Sequence, residues 1–299
     1  MVQMTKGRCI DVSDRSLLTL VGDDGLDLLQ RISTNDLSKL AVGEHVETVL
    51  TTEKGRIEDV IQVLRASANV IILSGRSNDG SRLRSWIERF IVMEDAKIDS
   101  VANSHFQILI FNLQDDELTT ELNDLKISGL HTLNMDRNQI MCIAESACKD
   151  RLKSLLLDKG IVITTEEEYQ DYRIRNGIPA YPNEISSQFN PIEVGFGSLV
   201  SFSKGCYVGQ EVIARLDTYQ KSQRILRRLM LSGAPLSLPE PLLTEESEIA
   251  GVLTSCTKTA NPNQGLHGIG IISPKYVEKQ MKYSCTQGEF EGRAEALLE

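Results

Sequence analysis

Lys204-Gly205-Cys206-Tyr207-Val208-Gly209-Gln210-Glu211 is the stretch on which the reading of this 299-residue chain turns. Its two glycines allow a positive φ or a close approach of backbone to a ligand, and a thiol lies between them. Lys204 stands two residues from Cys206, where its charge favours the thiolate, the reactive form of the side chain. The competing reading is a small apolar thiol packed beneath a loop. The surroundings are locally basic: Lys204, Arg215, Lys221, Arg224, Arg227 and Arg228 are set against Glu211 and Asp217, in a chain of net charge −10. An anionic ligand finds its patch here, unless the bases simply line a solvated helix face or strand edge.

Upstream, strand and helix signals are mixed. Cys9 to Val21 reads as a strand pair, and Asp23 and Asp24 are placed to cap a helix carrying Leu26, Leu29 and Ile32. Leu50 to Leu64 and Val70 to Leu73 read as extended, whereas Leu83, Trp86, Ile87, Phe90 and Ile91 have helical spacing. Phe106 to Phe111 and Ile140 to Ala144 read as strands, and Asp115 to Leu125, Cys148 to Leu156 and Glu166 to Asn176 as helices, the last stopped by Gly177 and Pro179. No regular βαβ cadence and no G-x-G-x-x-G fingerprint is present, so the class is α+β and not a dinucleotide-binding sheet. Downstream, the proline-rich run from Gly233 to Pro241 leads into short strands at Ile249 to Cys256, Leu266 to Ile272, Met281 to Cys285 and Phe290 to Leu298, the pattern of a small β-barrel.

At 41% hydrophobic and 25% charged residues the composition excludes a disordered, collagenous or coiled-coil chain. No run approaches the roughly 18 apolar residues of a membrane span, and Met1 to Ile10 lacks a signal-peptide core, so a cytoplasmic location or, at most, a mature organellar form is expected. The six cysteines form no C-x-x-C pair and the four histidines stand alone, so neither a disulfide scaffold nor a metal site is signalled. The net negative charge argues against nucleic acid as a direct ligand.

The Lys204 to Glu211 string resembles the signature of folate-binding YgfZ-type proteins of iron-sulfur cluster maintenance, relatives of the aminomethyltransferase (T-protein) of glycine cleavage. Ser33-Thr34-Asn35-Asp36, Leu50-Thr51-Thr52 with Gly55-Arg56-Ile57, Gly177-Ile178-Pro179 and Gly251 to Ser255 resemble the family's successive motifs, so the similarity runs over nearly the whole chain. It implies a T-protein-like folate-binding body over residues 1–230, in two subdomains, and a C-terminal β-barrel over 231–299. It also implies tetrahydrofolate or a one-carbon derivative as cofactor, and iron-sulfur client or assembly proteins as partners, among them enzymes that modify tRNA.

Pro191-Ile192-Glu193-Val194-Gly195 matches the R-L-E-A-G context in which the transferase's glutamate holds the pterin, so the resemblance assigns that role to Glu193. A carboxylate suits it, accepting two hydrogen bonds from the pterin's amino group and ring N–H. Lys204, Gly205, Tyr207, Gly209, Gln210, Arg215 and Arg224 are implied around it. Tyr207 is a stacking or hydrogen-bonding wall, and Arg215, Arg224, Arg227 and Arg228 are partners for the glutamate tail. Cys206 is the candidate reactive group.

The transferase's G-G-I-L-D-D, whose second aspartate is catalytic, corresponds to Gly55-Arg56-Ile57-Glu58-Asp59-Val60. The catalytic position therefore falls on Val60, leaving Asp59 one residue earlier, on the other face of a strand unless a bulge intervenes. This departure favours the YgfZ-like branch. The rival readings are a true aminomethyltransferase served by a lipoyl carrier, a non-catalytic docking module, and a folate-linked amine demethylase.

Overall fold

The apolar runs in the first half of the chain are strands covered on both faces. The computed structural model describes residues 7–113, 117–123, 127, 129–135, 138–218, 224–258, 265–284 and 291–296. The chain divides into two compact units, one of residues 1–50 and 59–166, the other of 51–58 and 167–299.

Along the first 163 residues the elements are β1 (Gly7–Asp11), β2 (Leu17–Val21), α1 (Gly25–Ile32), β3 (His45–Thr51), β4 (Ile57–Arg65), β5 (Val70–Gly75), α2 (Gly80–Glu88), β6 (Lys97–Ser100), β7 (His105–Phe111), α3 (Glu117–Asn123), β8 (His131–Met135), β9 (Gln139–Glu145), α4 (Lys149–Asp158) and β10 (Ile161–Ile163). They build two five-stranded sheets, ordered β10-β1-β7-β9-β8 and β3-β4-β5-β2-β6. On β7, Phe106, Ile108 and Ile110 pack against Leu118 and Leu122 of α3 and Leu152 and Leu156 of α4. Gln107, pointing the other way, accepts a hydrogen bond from Ser74 Oγ on β5 at 2.5 Å, so the sheets meet face to face. The far side of the second sheet is covered by α1, through Leu28, Leu29 and Ile32, and by α2, through Leu83, Trp86 and Ile87. Doubly covered strands read as near-continuous apolar runs, as Ile108 to Phe111 does.

Three expectations need correction here. The strands within Cys9 to Val21 are not a pair: β1 bonds to β7 and β10, and β2 to β5 and β6. The bend between them sends each into a different sheet. Asp24 occupies the N-cap of α1 without capping it, because its carboxylate accepts Asp95 N at 2.8 Å instead. Helix α2 ends at Glu88, so Phe90 and Ile91 lie just beyond it and are half-buried.

The second unit contains α5 (Glu166–Arg175), α6 (Gln210–Thr218), β11 (Ile225–Leu231), β12 (Glu240–Leu243), β13 (Ile249–Cys256), β14 (Leu266–Ile272), β15 (Met281–Ser284) and β16 (Glu291–Ala296). Its strands join in the order β11-β14-β13-β12-β15-β16 and close a barrel. Cys285, Phe290 and Leu298, read as strand ends from the sequence, lie outside the described residues. Among the described residues no helix is long and apolar enough to cross a membrane.

A buried ion pair links α5 to the barrel. Arg173 Nη1 meets Glu184 Oε2 at 3.2 Å with both side chains inaccessible. The remaining lone pairs of Glu184 are filled by Ala180 N at 3.0 Å, Thr254 Oγ1 at 2.5 Å and Ser255 Oγ at 2.7 Å, and Arg173 Nη2 reaches Ser255 Oγ at 3.0 Å. Full satisfaction is the condition under which a buried pair is tolerated. Glu184→Ala, which strands the guanidinium, is expected to destabilise the chain by about 3 to 5 kcal/mol in urea unfolding, and pairing it with Arg173→Met to recover part of that loss.

Candidate functional site

The signature loop is shaped by contact with the turn between β3 and β4. Gly209 has φ +83°, and a Cβ there would stand 2.5 Å from Thr52 O and 2.8 Å from Thr51 Oγ1, so no side chain fits. Thr51 Oγ1 donates to Val208 O at 2.7 Å, and Gly55, φ +66°, lets the turn rest on Ile213 at the start of α6. Gly205 lies in open space, outside the left-handed region, and nothing in its surroundings requires glycine.

That docking carries Arg56 to a second loop. Ile57 N donates to Phe189 O at 3.0 Å and Arg56 Nη1 to Gln188 O at 3.0 Å. The loop continues as a tight turn: Asn190 Oδ1 accepts Glu193 N, and Glu193 Oε2 accepts Asn190 N, both at 3.0 Å. This reciprocal pair, the arrangement of a capping box, fixes the Glu193 side chain before any ligand is considered. Two guanidiniums complete its surroundings. Arg224 Nε donates to Glu193 Oε1 at 2.9 Å, and Arg56 Nη1 lies 3.4 Å from Oε2. Arg224 also stacks over the Phe189 ring at 5.3 Å, and Leu226 N donates to Glu193 O at 2.8 Å, tying the site to the first barrel strand. The result is a buried carboxylate flanked by two arginines whose own side chains are 40% and 34% exposed.

The other sequence candidates divide. Tyr207 is buried with Ile192, Val200 and Ile213, and burial pushes its hydroxyl up to about 12, so it stays a neutral donor at physiological pH. Lys204 is itself buried and holds its ammonium 5.4 Å from the Tyr207 ring centre. Cys206 is exposed, while burial pushes Cys9 and Cys256 up to about 11 and Cys142 up to about 12. Gln210 opens α6, and Arg215 on the same helix is exposed and paired with Glu211 one turn back. Arg227 donates to Leu226 O at 3.0 Å and Arg228 to Arg175 O at 3.2 Å, so of the arginines expected at the acidic tail only Arg224 meets Glu193. Lys221 lies outside the described residues. Arg56 and Asn190 join the site through the fold and not through the signature string, although the Asn190-Pro191-Ile192-Glu193 spacing is a legible capping pattern.

Asp59, in the first unit, is fully buried. Its oxygens accept Val60 N at 2.8 Å, Ser77 N at 3.2 Å and Ser77 Oγ at 2.5 Å, and burial raises its pKa above the ordinary value. Its Oδ2, with Ser16 and Leu83, crowds the place a Cβ on Gly75 would take, and its bonds to Ser77 brace the start of the β5 to α2 connection. Val60 is also buried, because β4 is covered on both faces, so the strand pleat does not present either residue to solvent. Among the described residues no group of three or more His, Cys, Asp or Glu side chains is placed to hold a metal ion.

Comparison with known proteins agrees with this architecture. Residues 3–142 match the GCVT N-terminal domain. A chloroplastic protein of Arabidopsis thaliana that carries the name of a transferase is 26% identical over 291 residues, covering 91% of this chain and 65% of the relative. An aminomethyltransferase of Halalkalibacterium halodurans is 24% identical over 249 residues, covering 76% of this chain and 67% of the relative. The chain thus spans about two thirds of the length of these relatives. The crystal structure of aminomethyltransferase T of the glycine cleavage system from Bartonella henselae superposes with a TM-score of 0.79 at 15% identity, over 98% of this chain and 86% of that one. The fold is therefore that of the aminomethyltransferase T-proteins.

Proposed function

We propose that this chain binds a reduced folate at Glu193 and serves the assembly or repair of iron-sulfur clusters in client enzymes. The observation that carries the folate reading is the state of Glu193, buried, held rigidly by its own capping turn and flanked by Arg56 and Arg224. A carboxylate offers about four acceptor positions. Three are approached here, one of them only at the 3.4 Å distance of the half-exposed Arg56. Glu193 therefore retains capacity for the paired N–H donors of a pterin, and the displaced Arg56 becomes available to the folate's own carboxylates. Tyr207 and Phe189 supply aromatic surface in the same unit. A bound folate supplies one-carbon chemistry at its reduced ring; the residues named bind and orient it.

The iron-sulfur role rests on the Lys204 to Glu211 signature and on the exposure of Cys206 within it. A second reading, aminomethyl transfer, is favoured by the names of the similar bacterial proteins. It is opposed by Asp59, whose carboxylate is enclosed and accepts three hydrogen bonds from Val60 and Ser77, and by Val60 at the catalytic position. A carboxylate with no accessible surface is out of a substrate's reach.

Three measurements test this. Calorimetry with tetrahydrofolate is expected to show binding that Glu193→Ala weakens by about 1 to 3 kcal/mol, and unchanged affinity removes Glu193 as the clamp. In a reconstituted glycine cleavage reaction the chain is expected to give no methylene transfer; turnover like that of a genuine aminomethyltransferase reverses the order of the two readings. In cells that depend on this chain, Cys206→Ala is expected to lower the activity of iron-sulfur client enzymes, and full activity with the variant takes the thiol out of the function.

A further inference from the structure

The two most exposed large apolar side chains among the described residues stand side by side in the first unit. Val92 is 81% exposed and Met93 94%, on the connection from α2 to β6, and Phe90 and Ile91 beside them are half-buried. Single exposed apolar residues are ordinary on a protein surface; an adjoining run of four at one tip asks for a reason.

The tip is held from below by its own acids. Glu94 Oε2 accepts Val92 N at 2.7 Å and Met93 N at 3.0 Å, and Glu94 Oε1 accepts Arg31 Nη2 of α1 at 2.8 Å. These bonds, the Val92 amide foremost, hold the Glu94 carboxyl down to about 2, so it is charged throughout the physiological range. Asp24 Oδ2 accepts Asp95 N at 2.8 Å while Asp24 N donates to Asp95 O at 3.1 Å, and a Cβ at Gly22, φ +139°, would collide with Asp95 O. The backbone that carries Val92 and Met93 is therefore ordered in the free chain, which lowers the cost of ordering it on contact. The charge of this frame is also one-sided. Asp23, Asp24, Asp27, Glu94 and Asp95 are set against Arg31, which bridges Asp27 and Glu94, and Arg89, whose guanidinium lies 5.6 Å from the Trp86 ring centre. Farther along, Arg84 and Lys97 are paired with Glu88 and Asp99 and add nothing to the balance.

We infer that this tip is a docking site for a protein partner that offers an apolar pocket ringed by lysine or arginine, with Val92 and Met93 as the inserted anchors. Apolar anchors at the centre exclude water, and opposite charge around them sets the approach and the choice of partner. Methionine suits the role because its unbranched side chain adapts to the pocket it enters. An anionic lipid surface is repelled by the same carboxylates that a basic rim would meet. The inference does not depend on folate binding at Glu193.

The test uses the full chain and the methyl NMR signal of Met93, identified by its loss in Met93→Leu. The probes are a short amphipathic helical peptide of leucine and lysine, the same peptide with glutamate in place of lysine, and vesicles of phosphatidylcholine and phosphatidylglycerol. The leucine–lysine peptide is expected to shift the signal saturably, and less so as salt is raised, whereas the other two leave it in place. Its affinity is expected to fall about tenfold or more when Val92→Ser and Met93→Ser are combined, a change that keeps both backbone amides for Glu94. Val92→Thr with Met93→Gln serves if that variant does not fold. Glu193→Ala is expected to keep the response, which separates this surface from the folate reading. No saturable shift with the leucine–lysine peptide, an equal response to the glutamate peptide or the vesicles, undiminished affinity in the double variant, or a Met93 signal that moves with protein concentration alone, the mark of a second copy on the tip, overturns the inference.

Discussion

Backbone meets backbone at Gly209, and the arrangement around Glu193 depends on that approach. With a Cβ 2.5 Å from Thr52 O, any other residue would push the β3 to β4 turn away from the start of α6. The turn would take with it Arg56, which now reaches both Gln188 O and Glu193, and Ile57 N, which holds Phe189 O. The second glycine of the signature is thus a condition of assembly, set by space and by φ, and Gly205 carries no such demand. The same packing explains why residues 51–58 belong with 167–299 although the strands on either side of them extend into the other unit.

Three buried carboxylates illustrate how surroundings divide one functional group into different tasks. Glu184 is saturated by a guanidinium, a backbone amide and two hydroxyls, and it joins helix to barrel. Asp59 is enclosed, accepts hydrogen bonds from two amides and a hydroxyl, and burial favours its neutral form. Glu193 alone of the three combines a fixed orientation with partners that are themselves partly exposed and able to rearrange. That difference, more than position in the sequence, separates a group that holds the fold from one that can receive a ligand.

Much of this was legible in the residues. The spans Ile249 to Cys256 and Leu266 to Ile272 coincide with β13 and β14, because short apolar segments between turn residues have few alternatives. Pairing was less legible: β1 and β2 are neighbours in sequence and still enter different sheets, since side-chain period specifies a strand and not its partner. Strand β12 was hidden by its prolines. Pro241 is accommodated because β12 pairs with β15 only at Leu243, so the missing N–H falls beside an almost unpaired stretch. At the site, Glu193 and the basic cluster were visible, yet which arginine reaches the carboxylate was not, because Arg56 lies far from Glu193 in sequence and arrives by way of the Gly209 contact.

The assignment of residues 51–58 to the later half of the chain also bears on how the protein is made. This turn leaves the ribosome about 140 residues ahead of the loops that receive it, a delay of roughly 10 to 30 s at ordinary rates of synthesis. Throughout that interval the hairpin tip has no docking surface, and the nascent chain must carry Arg56 and its neighbours unpaired. Long-range closure of this kind comes late in folding, after local strands and helices have formed. The second unit therefore has an early piece and a late one, and it is complete only once the signature loop has been translated.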